Sequence, residues 1–238
     1  MGHLDYKGFS RRHRPHIHPA DSTLFVTFRL AGSIPRAKVR SYKAKKEWLE
    51  NQLKESRRSD NTSEVSERLA QLEQFYREWF LHFEDVLHLA SYGPMWMKDE
   101  KVAEVVSKNL HLLNGEAYDL YSYCIMSNHV HAIFSPFLSE SELKEELDED
   151  GRVVFTSDHP GLSRIMQTLK GRSARECNKI LSRSGQFWEH ESFDHVVRRG
   201  RLGKTIRYVL NNPVKAGLVA KWRDWRWNYC REGLIAEG

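Results

Sequence analysis

The chain has 238 residues, 40% hydrophobic and 11% aromatic, which suits one sizeable core and favours a single domain over residues 1–238 rather than disorder. Charged residues make up 29% of it and no apolar run approaches the roughly 20 residues that span a bilayer, which argues against a membrane protein. The basic N-terminus does not resemble a signal peptide and the three cysteines are far apart, so we expect a cytoplasmic protein with reduced thiols.

The charge of the chain is unevenly distributed. Its formal net charge of +5 and pI near 9.0 point only weakly to a polyanionic partner. Residues 198–226, however, contain nine Lys or Arg against one Asp, while residues 139–150 contain seven acidic residues against one Lys. This pattern favours a nucleic-acid surface in the C-terminal third, although solvated helix faces explain it equally well.

The N-terminal part predicts a basic arm, a strand and a helical insertion. In the arm, residues 1–22, prolines disfavour regular structure. Three arginines lie in it: Arg11, Arg12 and Arg14. Residues 23–30 are β-branched and aromatic, which predicts a strand. Apolar spacings of three and four over 37–89 predict two helices with a break near 59–61, in an insertion that extends over 37–98.

The remaining residues, 99–238, continue the core. Asp99 is suited to cap a helix that stops near Gly115. The further elements are a hairpin of residues 118–126 and 129–137, an acidic loop over 139–150, a helix over 161–183, a strand over 192–198 and a helix over 202–212. This order predicts an α+β fold with a ferredoxin-like split βαβ core, an antiparallel sheet with helices on one face, extended by the helical insertion and a C-terminal helix.

His129 and His131 are the first candidate metal ligands. Side chains two apart on a strand point to the same face, so both imidazoles project together while Val130 enters the core. Two imidazoles placed in this way can bind one metal ion. A His-x-His pair on a strand also arises by accident or for structural reasons, so other residues must support the site.

Tyr208 and Asn212 provide that support. They are four residues apart on the predicted last helix, which makes them neighbours on one helical face. A tyrosine hydroxyl and an amide oxygen then face one site. The alternative is that Tyr208 packs in the core and that Asn212 ends the helix, because Pro213 restricts the residue before it.

Several blocks of the chain resemble one family of enzymes. Residues 126–131 (MSNHVH) resemble the His-hydrophobic-His motif of the HUH single-strand nucleases, in the form found in single-tyrosine transposases. Residues 208–219 (YVLNNPVKAGLV) resemble the tyrosine block of REP-associated tyrosine transposases. Residues 187–189 (FWE) and 193–198 (FDHVVR) resemble the same proteins. Residues 14–16 (RPH), 25–30 (FVTFRL) and 93–97 (GPMWM) resemble a larger subgroup of them.

The resemblance implies a transposase that cleaves and rejoins single-stranded DNA at hairpin-forming repeats. It implies that His129, His131 and Asn212 bind Mg²⁺ or Mn²⁺, with zinc chemically possible, and that Tyr208 on a catalytic helix forms a 5′-phosphotyrosine. Related transposases more often have Gln or Glu at the position of Asn212. The expected protein is nucleoid-associated, and a monomer or a homodimer.

Further residues are expected around this site. Arginines of the arm and of the helix over 161–183 are expected to contact phosphates: Arg11, Arg12, Arg14, Arg172 and Arg175. His195 is a candidate for orienting a ligand or phosphate, or else a structural histidine. Two other functions stay open: a relaxase or replication initiator with the same chemistry, and a non-catalytic protein that binds repeat DNA.

Overall fold

Strands and helices are interspersed along the chain. The computed structural model describes residues 18–19, 22–58, 62–89, 92–137, 144–147, 153–157 and 160–235. The strands are β1 His18–Pro19, β2 Leu24–Leu30, β3 Tyr118–Ile125, β4 His129–Pro136, β5 Lys144–Leu147, β6 Val153–Ser157, β7 Trp188–Val196 and β8 Asn228–Cys230. The helices are α1 Arg36–Arg58, α2 Thr62–Leu89, α3 Glu100–Leu112, α4 Pro160–Ile180, α5 Leu202–Leu210 and α6 Asn212–Lys215.

A five-stranded sheet in the order β7-β2-β4-β3-β8 forms the centre, and every pair in it is antiparallel. The order β2, α3, β3, β4, α4, β7 along the chain is the predicted split βαβ arrangement, so the α+β class and the ferredoxin-like core are confirmed. The predicted hairpin is also confirmed, since β3 and β4 are joined by three residues and Met126 N donates to His129 O at 2.9 Å.

The two faces of the sheet are covered by different helices. On one face, alternate strand residues such as Val26, Phe28 and Val130 pack against α3 and α4 in the largest cluster of buried residues. These are the predicted helices on one face. On the opposite face, Phe25 and Ile133 pack against residues of α2 and α5, so the insertion and the C-terminal extension cover the face that carries the histidines.

The helical insertion has the predicted form. Helices α1 and α2 pack against each other through small apolar clusters, while the expected break at 59–61 lies outside the described residues. Within the ranges that the structure describes, no helix is long and apolar enough to cross a membrane. Helix α3 starts as predicted, because the side chain of Asp99 accepts a hydrogen bond from Lys101 N at 2.9 Å.

Several boundaries differ from the prediction, most clearly the start of β7 and the end of α5. Strand β7 begins at Trp188 rather than 192, because it is an edge strand and tolerates the polar residues 189–191 on its exposed side. Helix α5 ends at Leu210, and Asn212 starts the separate helix α6, because Pro213 has no N–H to donate to Val209 O, which accepts instead from the side-chain nitrogen of Asn212 at 2.9 Å.

A second sheet, in the order β1-β6-β5, occupies segments for which no strand was expected. The acidic loop contains β5, and the arm contributes the two residues of β1, which pair with Thr156 and Ser157. The run VVFTS over 153–157 is β-branched and aromatic, which explains the strand that the acidic composition of its neighbour concealed. Arg11, Arg12 and Arg14 of the arm lie outside the described residues.

The chain beyond α2 returns to the sheet through a close backbone approach. A Cβ atom added to Gly93 would lie 2.3 Å from the carbonyl oxygen of Gly32 and 2.8 Å from Cα of Ser33. Gly93 also has a φ of +76°, which other residues adopt only at a cost. The backbone of Gly32 and Ser33 occupies the place that a side chain would take, so Gly93 allows the chain after the insertion to pass close to the turn after β2.

Gly93→Ala should therefore destabilise the protein more than Gly32→Ala. Both positions have a φ of +76°, but a Cβ at Gly32 would meet no atom within 4 Å. The control variant should lose about 1–2 kcal/mol for its backbone conformation. Gly93→Ala should lose a further 1–3 kcal/mol or so for the overlap. Urea unfolding followed by circular dichroism measures both, and equal losses would contradict the close approach.

Candidate metal centre

His129 and His131 lie side by side on β4, as the alternation of a strand predicts. Both side chains are completely buried, and their Nε2 atoms are 3.0 Å apart. Two ligands at about 2.1 Å from one ion are separated by roughly 3.0–3.4 Å, depending on the coordination angle. The separation of the two nitrogens therefore fits a shared metal ion.

A third histidine, His88 in the last turn of α2, completes the cluster. Its ring centroid lies 5.6 Å from that of His129 and 6.2 Å from that of His131. Among the described residues, one donor atom from each of these three histidines lies within 4.8 Å of the other two. Three imidazoles in this arrangement could hold a metal ion, and His88 was not predicted from the sequence.

The Nδ1 atom of each strand histidine is held by a neighbour. The side-chain nitrogen of Asn128 donates to Leu87 O at 3.2 Å, which turns its oxygen toward Nδ1 of His129 at 2.7 Å. Because that oxygen can only accept, the proton of His129 resides on Nδ1, and Nε2 keeps a free lone pair. His131 Nδ1 is 2.8 Å from the hydroxyl of Thr27.

Burial keeps the three imidazoles neutral. It lowers the pKa of His129 and of His131 well below 6.5, and the neighbouring histidines lower both further. Burial also lowers the pKa of His88, against the hydrogen bond that His88 donates to Asn212, which raises it. The neutral imidazole is the form that binds metal ions, so at neutral pH the three histidines have no positive charge to lose before an ion binds.

Glu84, one helical turn before His88, places a carboxylate in the cluster. Its Oε2 atom accepts a hydrogen bond from the hydroxyl of Tyr208 at 3.0 Å and lies 3.4 Å from Nε2 of His131. The residue is 3% exposed. Burial raises the pKa of Glu84 to about 8, and the hydrogen bond from Tyr208 opposes this rise.

Tyr208 and Asn212 both reach the cluster, each through a residue of α2. Tyr208 contacts Glu84, and Oδ1 of Asn212 lies 2.5 Å from Nε2 of His88. The amide nitrogen of Asn212 donates to the carbonyl oxygens of Tyr208 and Val209, at the end of α5. The two residues thus share one site as expected, although two helices rather than one present them.

One face of the cluster is accessible. His129 and His131 are completely buried, whereas Tyr208 and His88 are half-buried. The ammonium group of Lys215 lies over the ring of Tyr208, 3.7 Å from its centroid. A substrate can therefore approach from the side of Tyr208 and would meet a positive charge there.

The other predicted residues lie farther from the cluster. His195 packs edge-on against Phe25, with centroids 4.7 Å apart, and Phe25 in turn stacks on His131 at 5.5 Å. Arg172 and Arg175 are exposed on α4, which covers the opposite face of the sheet. The structure thus separates both arginines from the histidines by the thickness of the sheet.

Glu84 and His88 were missed because the pattern that contains them is a common one. Their spacing of four residues places both on one face of α2, but many surface helices carry Glu and His at this spacing. The useful signal would have been the position of Glu84 between the apolar residues Phe83 and Leu87, both buried, since an acid on a buried face needs a partner.

Comparison with known proteins adds one structural similarity. No protein-family model matches the chain, and no curated protein matches it. A solved structure of a REP-associated tyrosine transposase bound to a REP hairpin matches over 91% of this chain and 81% of that one, with 12% sequence identity and a TM-score of 0.43. We therefore base the function on this chain's own residues.

Asn128→Ala should weaken metal binding without removing a ligand. The substitution frees Nδ1 of His129 from its acceptor, so the ring can rotate or carry its proton on Nε2. The expected loss of affinity is about 10–100-fold, the usual cost of removing such a supporting residue. Isothermal titration of the metal-free protein with Mn²⁺ or Zn²⁺ measures it, and an unchanged dissociation constant would exclude this role.

The metal-free protein should lose stability as the pH falls below 6.5. The lowered pKa values of His88, His129 and His131 mean that the unfolded chain binds protons there that the folded protein does not. The pKa of Glu84 is raised to about 8, so between pH 4.5 and 8 this residue changes the stability in the opposite direction. The three histidines outweigh this single group.

Urea unfolding in EDTA at several pH values measures this effect. The expected net slope is about 1–3 kcal/mol per pH unit just below pH 6.5. His131→Gln should flatten the slope, whereas His82→Gln, at an exposed position on α2, should leave it unchanged. A stability that stays constant from about pH 7.5 to 5.5 would contradict the neutral buried imidazoles.

Proposed function

We propose that this chain is a metal-dependent tyrosine transposase that cleaves and rejoins single-stranded DNA at hairpin-forming repeats. One observation carries the proposal: the hydroxyl of Tyr208 and Nε2 of His131 contact the same carboxylate oxygen of Glu84, at 3.0 and 3.4 Å. A tyrosine that merely packs in the core has no reason to share a buried oxygen with a metal-competent imidazole.

The chemistry that Tyr208 performs is a phosphoryl transfer. Its phenolic oxygen attacks the scissile phosphorus, the bond from phosphorus to the 3′ oxygen breaks, and a 5′-phosphotyrosine and a free 3′-hydroxyl result. The phenolic proton leaves toward the Glu84 oxygen that already accepts it. A 3′-hydroxyl can later attack the tyrosyl ester and release Tyr208, so rejoining needs no nucleotide cofactor.

The cluster supplies the sites for a divalent ion. We assign His129, His131 and Asn212 as ligands, with Mg²⁺ or Mn²⁺ as the ion, and zinc as a chemically possible one. When bound, such an ion supplies positive charge for the negative charge that develops on the phosphate. Lys215, over the ring of Tyr208, adds a fixed cation at the accessible side.

Hairpin or single-stranded DNA is the proposed partner, bound by a monomer or a homodimer. The sheet separates Arg172 and Arg175 from the histidines, so we propose that they contact a part of the DNA away from the scissile phosphate. Arg11, Arg12 and Arg14 remain proposed phosphate contacts of the N-terminal arm. His195 is proposed to act indirectly, by supporting Phe25 against His131.

Tyr208→Phe should abolish covalent attachment to DNA while preserving DNA binding. The wild-type protein is incubated with labelled single-stranded DNA from the repeats that flank its own gene, with Mg²⁺ or Mn²⁺, and the adduct is detected on a denaturing gel. Tyr121→Phe is the matched control, because Tyr121 is also half-buried and its hydroxyl accepts a hydrogen bond from the Ser135 hydroxyl at 3.2 Å. This control should form the adduct normally.

Mass spectrometry should locate the nucleotide on the peptide that contains Tyr208. An adduct formed by the Phe variant, or one mapped to Tyr121 or Tyr123, would overturn the assignment of the nucleophile. Tight binding of the hairpin by the wild-type protein without any adduct would instead favour a non-catalytic repeat-binding protein.

A further inference from the structure

Helix α2 presents two donor groups to the buried histidines. Glu84 and His88 are four residues apart, so they lie one above the other on the face of α2 that meets the sheet. Oε2 of Glu84 is 3.4 Å from Nε2 of His131 and 4.0 Å from Nε2 of His88. The first distance lies within the roughly 3.0–3.4 Å that separate two ligands of one ion.

The surroundings of Glu84 call for a positive charge. A carboxylate taken out of water is costly unless it is paired. In the part of the chain that the structure describes, the basic side chains within 4.0 Å of Glu84 are those of His88 and His131, and both imidazoles are kept neutral by burial. Lys215 acts on it only over a longer distance. A dication among these groups would compensate the carboxylate directly.

We propose that Glu84 and His88 join His129 and His131 in a buried centre of three imidazoles and one carboxylate that binds a first-row transition-metal dication in preference to Mg²⁺. Imidazole suits ions such as Zn²⁺, Co²⁺ and Fe²⁺, and carboxylate also suits Mn²⁺. Mg²⁺ keeps several waters and prefers oxygen ligands. A centre with three nitrogens therefore discriminates by donor type.

His88 changes partner when it takes up the ion. Its Nε2 atom lies 2.5 Å from the amide oxygen of Asn212, to which it donates a proton in the metal-free protein. Ligation by Nε2 requires the other neutral tautomer, in which the ring proton resides on Nδ1. Asn212 then holds its oxygen beside the ion, because its amide nitrogen stays bonded to the end of α5.

This proposal deepens the proposed function and rests on it for the role of the ion in DNA cleavage. Glu84 would contact the ion and the hydroxyl of Tyr208 through one carboxylate. Loading of the metal and placement of the nucleophile are then linked through a residue of the helical insertion. The binding of metal itself can be measured without DNA.

Isothermal titration of the chelator-treated protein with Co²⁺, Mn²⁺ and Mg²⁺ tests the preference. We expect Co²⁺ to bind at least about 100-fold more tightly than Mg²⁺, and Mn²⁺ at least about tenfold more tightly. Glu84→Gln and His88→Gln should each weaken Co²⁺ binding by about 100-fold or more, beyond the usual cost of a supporting residue. Asp85→Asn and His82→Gln, on the exposed side of the same helix, should not.

A measurement on the wild-type protein tests the same centre even if a variant does not fold. Pulsed electron paramagnetic resonance of the Cu²⁺-loaded protein counts the coordinated imidazoles. Three imidazoles are expected. A count of two, or variants that fold by circular dichroism and bind Co²⁺ like the wild type, would overturn the proposal.

The outcomes separate this inference from the proposed function. Adduct formation that depends on Tyr208 but proceeds equally well in Glu84→Gln and with Mg²⁺ would refute the four-donor centre and leave the transposase standing. Selective Co²⁺ binding that needs Glu84 and His88, without an adduct on any DNA, would support the centre and refute the transposase. Loss of both Co²⁺ binding and adduct formation in Asp85→Asn or His82→Gln would refute the assignment of the centre to Glu84 and His88.

Discussion

The centre depends on keeping two fully buried imidazoles neutral and correctly protonated. An imidazole that is removed from water loses its charge more readily, and the neutral ring then needs one defined position for its proton. Asn128 provides that definition for His129, and Asn128 is itself oriented by the carbonyl of Leu87. Because Leu87 directly precedes His88, the same contact that fixes the tautomer on the sheet also docks the end of α2.

The two faces of the sheet differ in the side chains that they carry and in the helices that cover them. Helices α3 and α4 bury an ordinary apolar face, which holds the strands in register. The opposite face carries polar groups and therefore needs a cover that can satisfy them. Helix α2 and the consecutive helices α5 and α6 provide this cover. Glu84 and His88 of α2 meet Tyr208 of α5 and Asn212 of α6, respectively.

The sequence predicts the parts of the site that local geometry determines. Strand alternation places His129 beside His131, and helical spacing brings Tyr208 and Asn212 toward one site. Glu84 and His88 precede His129 by more than 40 positions, and no local rule states which face of a long amphipathic insertion will meet the sheet. The second small sheet was not predicted, because the acidic composition of residues 139–150 indicated a loop although the β-branched run over 153–157 lies beside it.

The backbone approach of Gly93 to Gly32 anchors the chain just after the C-terminal end of α2, whereas the N-terminal half of α2 packs against α1. Helix α2 ends at Leu89, four residues before Gly93, so this anchor fixes which face of the last turns of the helix meets the sheet. Additional turns beyond Glu84, toward the junction with α1, would leave the phase of the functional face intact. The insertion can therefore vary in length across its outer half, while its inner half forms a part of the candidate metal centre.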